Sequence, residues 1–210
     1  MAYSVKEIFY SIQGEGGNTG RAAVFCRFSG CNLWSGREED RESAICRFCD
    51  TDFVGVDGDG GGRFLSPGEL AGAADRFWPT EAPRKFIVLT GGEPMLQVDD
   101  ALIVALHDLG FEIAIETNGT HPVPRSIDWI CVSPKSGVDL VVTSGNELKL
   151  VFPQNGDDPS RYERLAFEQF YLQPMASDAL EDNTRRALEY CLMNPRWRLS
   201  LQTHKFLGIR

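Results

Sequence analysis

Near-continuous apolar runs alternate with polar, glycine-bearing stretches along most of the chain. Residues 22–28 (AAVFCRF), 85–92 (KFIVLTGG), 111–119 (FEIAIETNG), 128–135 (DWICVSPK), 146–152 (NELKLVF) and 167–175 (FEQFYLQPM) read as strands. Several lack an alternating polar face, as strands covered on both sides require. Between them the period lengthens to that of a helix. Ser66, Pro67 and Glu69 set out a capping box with proline at the first helical position, ahead of an apolar run to Trp78. Asp99 and Asp100 fall in the first turn of a second helix. Its apolar face is Leu102, Ala105, Leu106 and Leu109, and Gly110 ends it. A third helix begins near Asp182 and Asn183 and stops before Pro195.

Alternating strands and helices imply parallel βα units. Residues 119–128 and 135–146 read as loop. The expected fold is therefore α/β, a barrel-like parallel sheet with some helices lost or shortened. No repeat or linker interrupts it, so residues 1–210 are expected to form a single domain. The glycine-rich segment 57–63 (DGDGGGR) reads as a flexible turn; with no Walker lysine after it, it is a poor phosphate cradle.

Composition narrows the classes of function. The chain has 210 residues, 42% of them hydrophobic, enough to bury a sizeable core. It carries 21 basic against 30 acidic residues, a net charge of -9, which argues against a nucleic-acid-binding face and leaves room for a local basic pocket. No apolar run approaches the ~20 residues of a membrane span. The start, MAYSVKEIFYSIQGEG, lacks the apolar region of a signal peptide. A cytoplasmic protein with neither nucleic acid nor membrane as partner is expected.

Of six cysteines, Cys26, Cys131 and Cys191 sit in apolar settings and read as small buried hydrophobes. Cys31, Cys46 and Cys49 form C-x14-C-x2-C with Phe48 before the last cysteine, a close group that points to a metal site. Structural zinc wants four ligands, as does a fully ligated ferredoxin-type cluster, and His107, His121 and His204 are isolated. A 4Fe–4S cluster with one open iron fits best, with zinc as the alternative. Polar residues also gather at the ends of predicted strands: Thr90 to Pro94, Glu116 to Gly119, Ser133 to Lys135, and Gln173 to Met175. In parallel βα folds ligands bind at that edge. Any one group is plainly a polar turn; four together with the cysteines suggest one shared site.

The cysteine triad, Phe9 to Gly16 (FYSIQGEG), Arg27 to Trp34 (RFSGCNLW), Cys49 to Thr51, the four strand-end groups and Gln202 to Lys205 resemble, in order and over essentially the whole chain, the 7-carboxy-7-deazaguanine synthase family of the radical S-adenosylmethionine (SAM) superfamily. The usual superfamily spacing is C-x3-C-x2-C, and the widened first gap resembles one subgroup of that family. The resemblance implies a modified, partial (β/α)6 radical SAM barrel, with residues 29–52 as the cluster-binding loop and 195–210 as a tail closing the active site. It implies cluster ligation by Cys31, Cys46 and Cys49, and SAM binding by Phe48, Cys49, Asp50, Gly92, Glu116, Ser133, Pro134, Lys135, Gln173, Pro174, Met175 and Ala176. Substrate binding falls to Ile12, Gln13, Gly14, Glu15, Arg27, Thr90 and Arg210, and a magnesium ion to Thr51.

The implied activity is a carbon–nitrogen lyase of queuosine and 7-deazapurine biosynthesis. It converts 6-carboxy-5,6,7,8-tetrahydropterin to 7-carboxy-7-deazaguanine with loss of ammonia, through a 5′-deoxyadenosyl radical that abstracts hydrogen at C6. A flavodoxin or ferredoxin type of electron donor and a homodimer are implied as partners. Physical chemistry agrees in places. Gly91 and Gly92 permit close backbone approach at a strand end, Glu93 can fix that turn, and Arg27 suits a carboxylate. A buried Arg27 needs an anion, either bound carboxylate or Glu15. Two other functions are compatible with parts of the pattern: activation of a glycyl radical enzyme, and a zinc-stabilised binding module. Residues 32–45 read as a solvated helix rather than a docking surface.

Overall fold

All six apolar runs become strands, and they pair in parallel because each is followed by a connection that returns to the same end of the sheet. The computed structural model describes residues 2–80 and 82–210. Its strands are β1 (Tyr3–Ile12), β2 (Ala22–Phe28), β3 (Gly62–Phe64), β4 (Lys85–Gly91), β5 (Phe111–Thr117), β6 (Trp129–Val132), β7 (Ser144–Phe152), β8 (Ala166–Pro174) and β9 (Trp197–Leu199). They form one sheet in the order β3-β1-β2-β4-β5-β6-β7-β8-β9. From β2 to β9 every pairing is parallel, while β1 runs antiparallel to β2 and β3.

The helices are α1 (Pro67–Asp75), α2 (Asp100–Asp108), α3 (Leu180–Met193) and α4 (Thr203–Leu207). Between β5 and β6 and between β6 and β7 the connections are loops, and between β7 and β8 there is only a 3₁₀ turn, Pro159–Tyr162, so barrel helices are missing from all three connections. Ser66 caps α1 by accepting from Glu69 N at 3.2 Å. Asp99 is the N-cap of α2 rather than part of its first turn, accepting from Leu102 N at 3.0 Å and from Tyr3 Oη at 2.8 Å. Helix α3 starts earlier than expected, at Leu180. Asn183, buried within it, donates to Met175 O at 2.9 Å and ties the helix to the end of β8.

Two apolar clusters hold the sheet. One joins β1, β2, β4 and β5 to α1 and α2 through residues such as Val24, Leu89, Ile113 and Leu102. The second joins β7 and β8 to α3 through Leu148, Phe170, Leu172 and Ala187. The remaining side chains of the strands meet as a polar row: Arg27 pairs in register with Thr90, Glu116 with Cys131, Cys131 with Glu147, and Glu147 with Gln169.

Strand β1 has no counterpart in the predicted elements. Its register shifts between Val5 and Glu7, which breaks the period of two. The glycine-rich segment 57–63 is not a free turn. Gly58 N donates to Lys6 O at 2.9 Å and Ile8 N to Asp59 O at 2.7 Å, and Cβ atoms at Gly58 or Gly61 would meet the Lys6 carbonyl. It laces to the edge of β1 and leads into β3. Cys26 and Cys131 are buried as expected, whereas Cys191 is half-buried. Among the described residues no helix is long and apolar enough to cross a membrane.

Candidate active site

The carboxyl ends of the strands, the loop after β2 and the C-terminal segment enclose a cavity of about 390 Å³. Its lining includes the cysteine triad, Thr51, every residue predicted for the substrate, and every residue predicted for SAM except Pro134. Pro134 is not part of that lining; its carbonyl accepts from Gln154 Nε2 at 3.1 Å, so it shapes the turn that carries Ser133 and Lys135.

The widened cysteine gap closes at its base. Leu33 O accepts from Ile45 N at 3.1 Å and from Cys46 N at 3.2 Å, so the chain leaves and re-enters the cluster loop at one point. The excursion contains a 3₁₀ segment, Glu38–Ser43, with no buried residue. It is anchored by Arg41, whose guanidinium lies 4.0 Å from the Trp34 ring and donates from Nη1 to Arg47 O at 2.9 Å and Cys49 O at 3.1 Å. Trp34 packs edge-on against Phe53 at 5.6 Å. Within residues 32–45, Leu33 and Trp34 are buried at the base, and the rest is a mostly exposed excursion with one short 3₁₀ segment tied down by Arg41, not an α-helix.

All three triad cysteines are free thiols. Burial pushes the Cys31 and Cys46 thiols up, while backbone N–H groups of Leu33 and Trp34, and of Phe48 and Cys49, point at the two sulfurs and favour thiolate. A single ion draws its ligands to within ~2.3 Å of one centre; among the described residues no three His, Cys, Asp or Glu side chains converge in that way. The three cysteines line one cavity, and a 4Fe–4S cluster held by three thiolates keeps one iron without a protein ligand.

The glycines of β4 serve the loop. Gly91 has φ +137, and a Cβ on Gly92 would strike the Gly30 carbonyl and crowd Cys31. Gly92 N donates to Phe28 O at 3.1 Å and Glu93 N to Gly30 O at 2.8 Å. The close approach these glycines permit is that of the Phe28 and Gly30 backbone, which leads directly into the first cysteine. Glu93, fully buried, accepts from Thr117 Oγ1 and Asn118 N at 2.7 Å and from Met95 N at 2.9 Å. It fixes the turn as expected and joins the ends of β4 and β5.

The partner of Arg27 is Glu7, not Glu15. Arg27 Nε donates to Glu7 Oε1 at 2.8 Å, and Arg210 Nη2 lies 2.9 Å from Glu7 Oε2. One carboxylate therefore sets two guanidiniums side by side beside Phe9. Glu15 instead meets Lys149 Nζ at 2.6 Å and Gln202 Nε2 at 3.0 Å. Burial by itself would raise the Glu15 carboxyl, but the Lys149 ammonium and the two hydrogen bonds overcome it and hold the group at about 2. Lys149 also reaches Glu116 Oε1 at 3.1 Å. Glu7, Lys149, Gln202, His204 and Lys205 line the cavity without having been assigned from the sequence. For Lys149 a signal exists: Glu147 and Lys149 stand at alternate positions beside Leu148 and Leu150, and buried charges there need a polar interior.

The C-terminal segment returns to the N-terminal motif. Thr203 donates from N and Oγ1 to Gly14 O at 3.0 and 2.9 Å, and Lys205 Nζ lies 2.6 Å from Asp50 Oδ2. Arg210 O accepts from Ser11 Oγ at 2.6 Å. Near the triad, Asp50 is thus taken by Lys205 and Asp52 by Lys6 at 3.0 Å. Lys135 turns back on Ser133, donating to its O and Oγ at 2.7 Å, 6.0 Å from the Phe48 ring centre.

Comparison with known proteins identifies the family. Residues 43–192 match the model of the radical SAM superfamily, a match that begins between the first two cysteines of the triad. The chain is 61% identical over 210 residues to the 7-carboxy-7-deazaguanine synthase of Bradyrhizobium diazoefficiens, covering 100% of both chains. It is 60% identical over 209 residues to that of Caulobacter vibrioides, again over 100% of both. Among solved structures, QueE from Escherichia coli superposes with a TM-score of 0.68 at 26% identity, over 96% of this chain and 94% of that one. Full-length identity of this order and a shared partial barrel place the chain in the 7-carboxy-7-deazaguanine synthase family, the carbon–nitrogen lyases of the radical SAM superfamily.

Proposed function

We propose that this chain converts 6-carboxy-5,6,7,8-tetrahydropterin to 7-carboxy-7-deazaguanine with loss of ammonia, a step of queuosine and 7-deazapurine biosynthesis. The observation that carries the reading is the single cavity shared by the cysteine triad and the predicted substrate and SAM residues. When bound, a 4Fe–4S cluster and SAM supply the 5′-deoxyadenosyl radical chemistry. Cys31, Cys46 and Cys49 hold the cluster; Phe48, Asp50, Gly92, Glu116, Ser133, Lys135 and Gln173 to Ala176 border the space for SAM.

The chain's own contribution is binding and orientation. Arg27 keeps Nε on Glu7 and presents its Nη groups for the pterin carboxylate, with Arg210 beside it. Gln13 and Glu15 offer acceptors to the N–H groups of the pterin edge, and Gln13 is steadied by donating to Glu116 Oε1 at 3.1 Å. Thr90 completes that wall, donating to Glu116 Oε2 at 3.2 Å. The contacts of Thr203 and Lys205 let the tail cover the substrate and exclude water.

Thr51 is assigned to magnesium. It lines the cavity while its acidic neighbours are committed to lysines. One hydroxyl satisfies a magnesium ion only with substrate oxygens and water completing the shell. A homodimer has an apolar stretch available on α3, where Leu188, Leu192 and Met193 are exposed. A flavodoxin or ferredoxin type of donor supplies the electron.

Anaerobic incubation of the reconstituted protein with SAM, reductant, magnesium and the carboxytetrahydropterin tests the reading. 7-Carboxy-7-deazaguanine and ammonia are expected in equal amounts; no deazapurine from iron-replete, SAM-binding protein overturns it.

A further inference from the structure

Lys149 is a buried charged group of the cavity wall to which the reaction above gives no task. It lies on β7 between Leu148 and Leu150, whose side chains enter the second apolar cluster, so alternation along the strand turns Lys149 to the cavity. Its side chain is 5% exposed. Nζ sits 2.6 Å from Glu15 Oε2 and 3.1 Å from Glu116 Oε1, bridging the segment assigned to the pterin and the strand end assigned to SAM. The other oxygens are also engaged: Glu15 Oε1 by Gln202, Glu116 Oε2 by Thr90, with Gln13 sharing Glu116 Oε1. Two carboxylates on one buried wall would otherwise compete for a proton. A single ammonium between them removes that competition and sets their separation.

We propose that Lys149 is a positioning residue for the ring contraction: its ammonium holds Glu15 and Glu116 side by side as acceptor-only carboxylates, so that a substrate rich in N–H donors is received in a fixed relation to SAM. The proposal rests on the reading that this cavity holds the pterin beside SAM. Other titratable groups face the pair. Glu147 and Cys131 lie near Lys149 on the polar row, and His204 of α4 lies near Glu15. None of them bridges the two carboxylates. Burial disfavours the Lys149 ammonium, yet Glu116 and Glu15 more than offset this and keep it charged well above the usual lysine range.

Equilibrium binding of the carboxytetrahydropterin to reconstituted, SAM-loaded, unreduced enzyme tests this without turnover. Lys149→Met is expected to weaken pterin binding about thirtyfold or more, since removing one partner of a buried ion pair leaves the rest uncompensated. Its affinity should also gain a pH dependence, because the two carboxylates then compete for one proton, whereas wild type stays flat. Lys149→Arg, which keeps the charge, should restore the flat profile with affinity within about fivefold of wild type. If Lys149→Met is too unstable to purify, Lys149→Gln takes the same measurements with the same expectation.

Unchanged affinity and a flat profile in the neutral variant overturn the proposal. So does a pH-independent loss that Arg does not rescue, which marks Lys149 as structural only. In both cases wild-type conversion of the pterin leaves the parent reading standing. Wild type that neither binds nor converts the pterin overturns both.

Discussion

The cluster loop and the strand-borne wall face each other across one cavity but are held by opposite means. Between residues 29 and 52 only Leu33, Trp34 and Cys46 are buried, and the loop's shape rests on a few contacts: the Leu33 clasp, the Arg41 bonds and the close approach of Gly92. Across the cavity, Thr90, Glu116 and Lys149 project from strands whose register is fixed by both apolar clusters. Chemistry that must accept a foreign cluster is kept on a segment adjustable without unfolding. On the wall, the ammonium of Lys149 and the carboxylate of Glu116 are carried by strands, and Glu15, in the loop after β1, is held against them.

That contrast is open to test. The largest expected effect on activity with the least on the fold is Cys49→Ser. Product formation should drop to background and cluster iron should fall, while the apoprotein melts within a few degrees of wild type. A melting loss as large as that of a wall variant would break the contrast. Gly92→Ala attacks the joint between the two regions. Its Cβ meets the Gly30 carbonyl, a backbone atom that cannot swing away, so overpacking should cost about 3 kcal/mol. In a chain of this size that is a fall of roughly 6–12 °C in melting temperature, with loss of cluster binding; a stable, cluster-replete variant would show that the loop moves freely against β4.

The wall should show itself in pH dependence. Glu15 is held below its unfolded value of 4.5, so its stabilisation is fully present above that value and fades as pH falls toward about 2. The span corresponds to about 3 kcal/mol. Lys149 is raised above 10.5, so its share is present below that value and is lost as pH rises through its folded value. Melting curves of wild type and Glu15→Gln from acid to neutral pH should converge at the acid end; parallel curves would remove Glu15 from the ledger. The smallest effect is expected for Arg41→Ala, which frees the carbonyls of Arg47 and Cys49 at a cost of about 1–2 kcal/mol confined to the loop. Faster iron loss to a chelator, with an unchanged melting temperature, would sharpen the distinction.

The same contrast explains what was legible in the sequence. The buried strands and the missing helices on either side of β6 could be read because apolar continuity, or its absence, is a local property. That the triad, Gln13, Arg27 and residues of the strand-end groups would share one cavity could be read because motif and spacing survive in one dimension. Strand β1 could not, since a register shift erases its period, nor could the lacing of residues 57–63 to its edge. The exchange of partners, Glu7 for Arg27 and Lys149 for Glu15, depends on which strands lie adjacent. Lys149 is 134 positions from Glu15. A lysine between two leucines of a strand signals a polar interior but names no partner.

The clasp at Leu33 has a consequence for how such proteins are found and altered. Because Leu33 meets Ile45 and Cys46 directly, the cluster geometry senses the short path across the clasp, not the residues that bulge beyond it. Each doubling of such a closed excursion adds only about 0.6 kcal/mol of closure entropy. A search that counts residues between the first two cysteines therefore measures a quantity the metal site does not feel, whereas one that asks for two backbone donors meeting the carbonyl two residues after the first cysteine would measure one that it does.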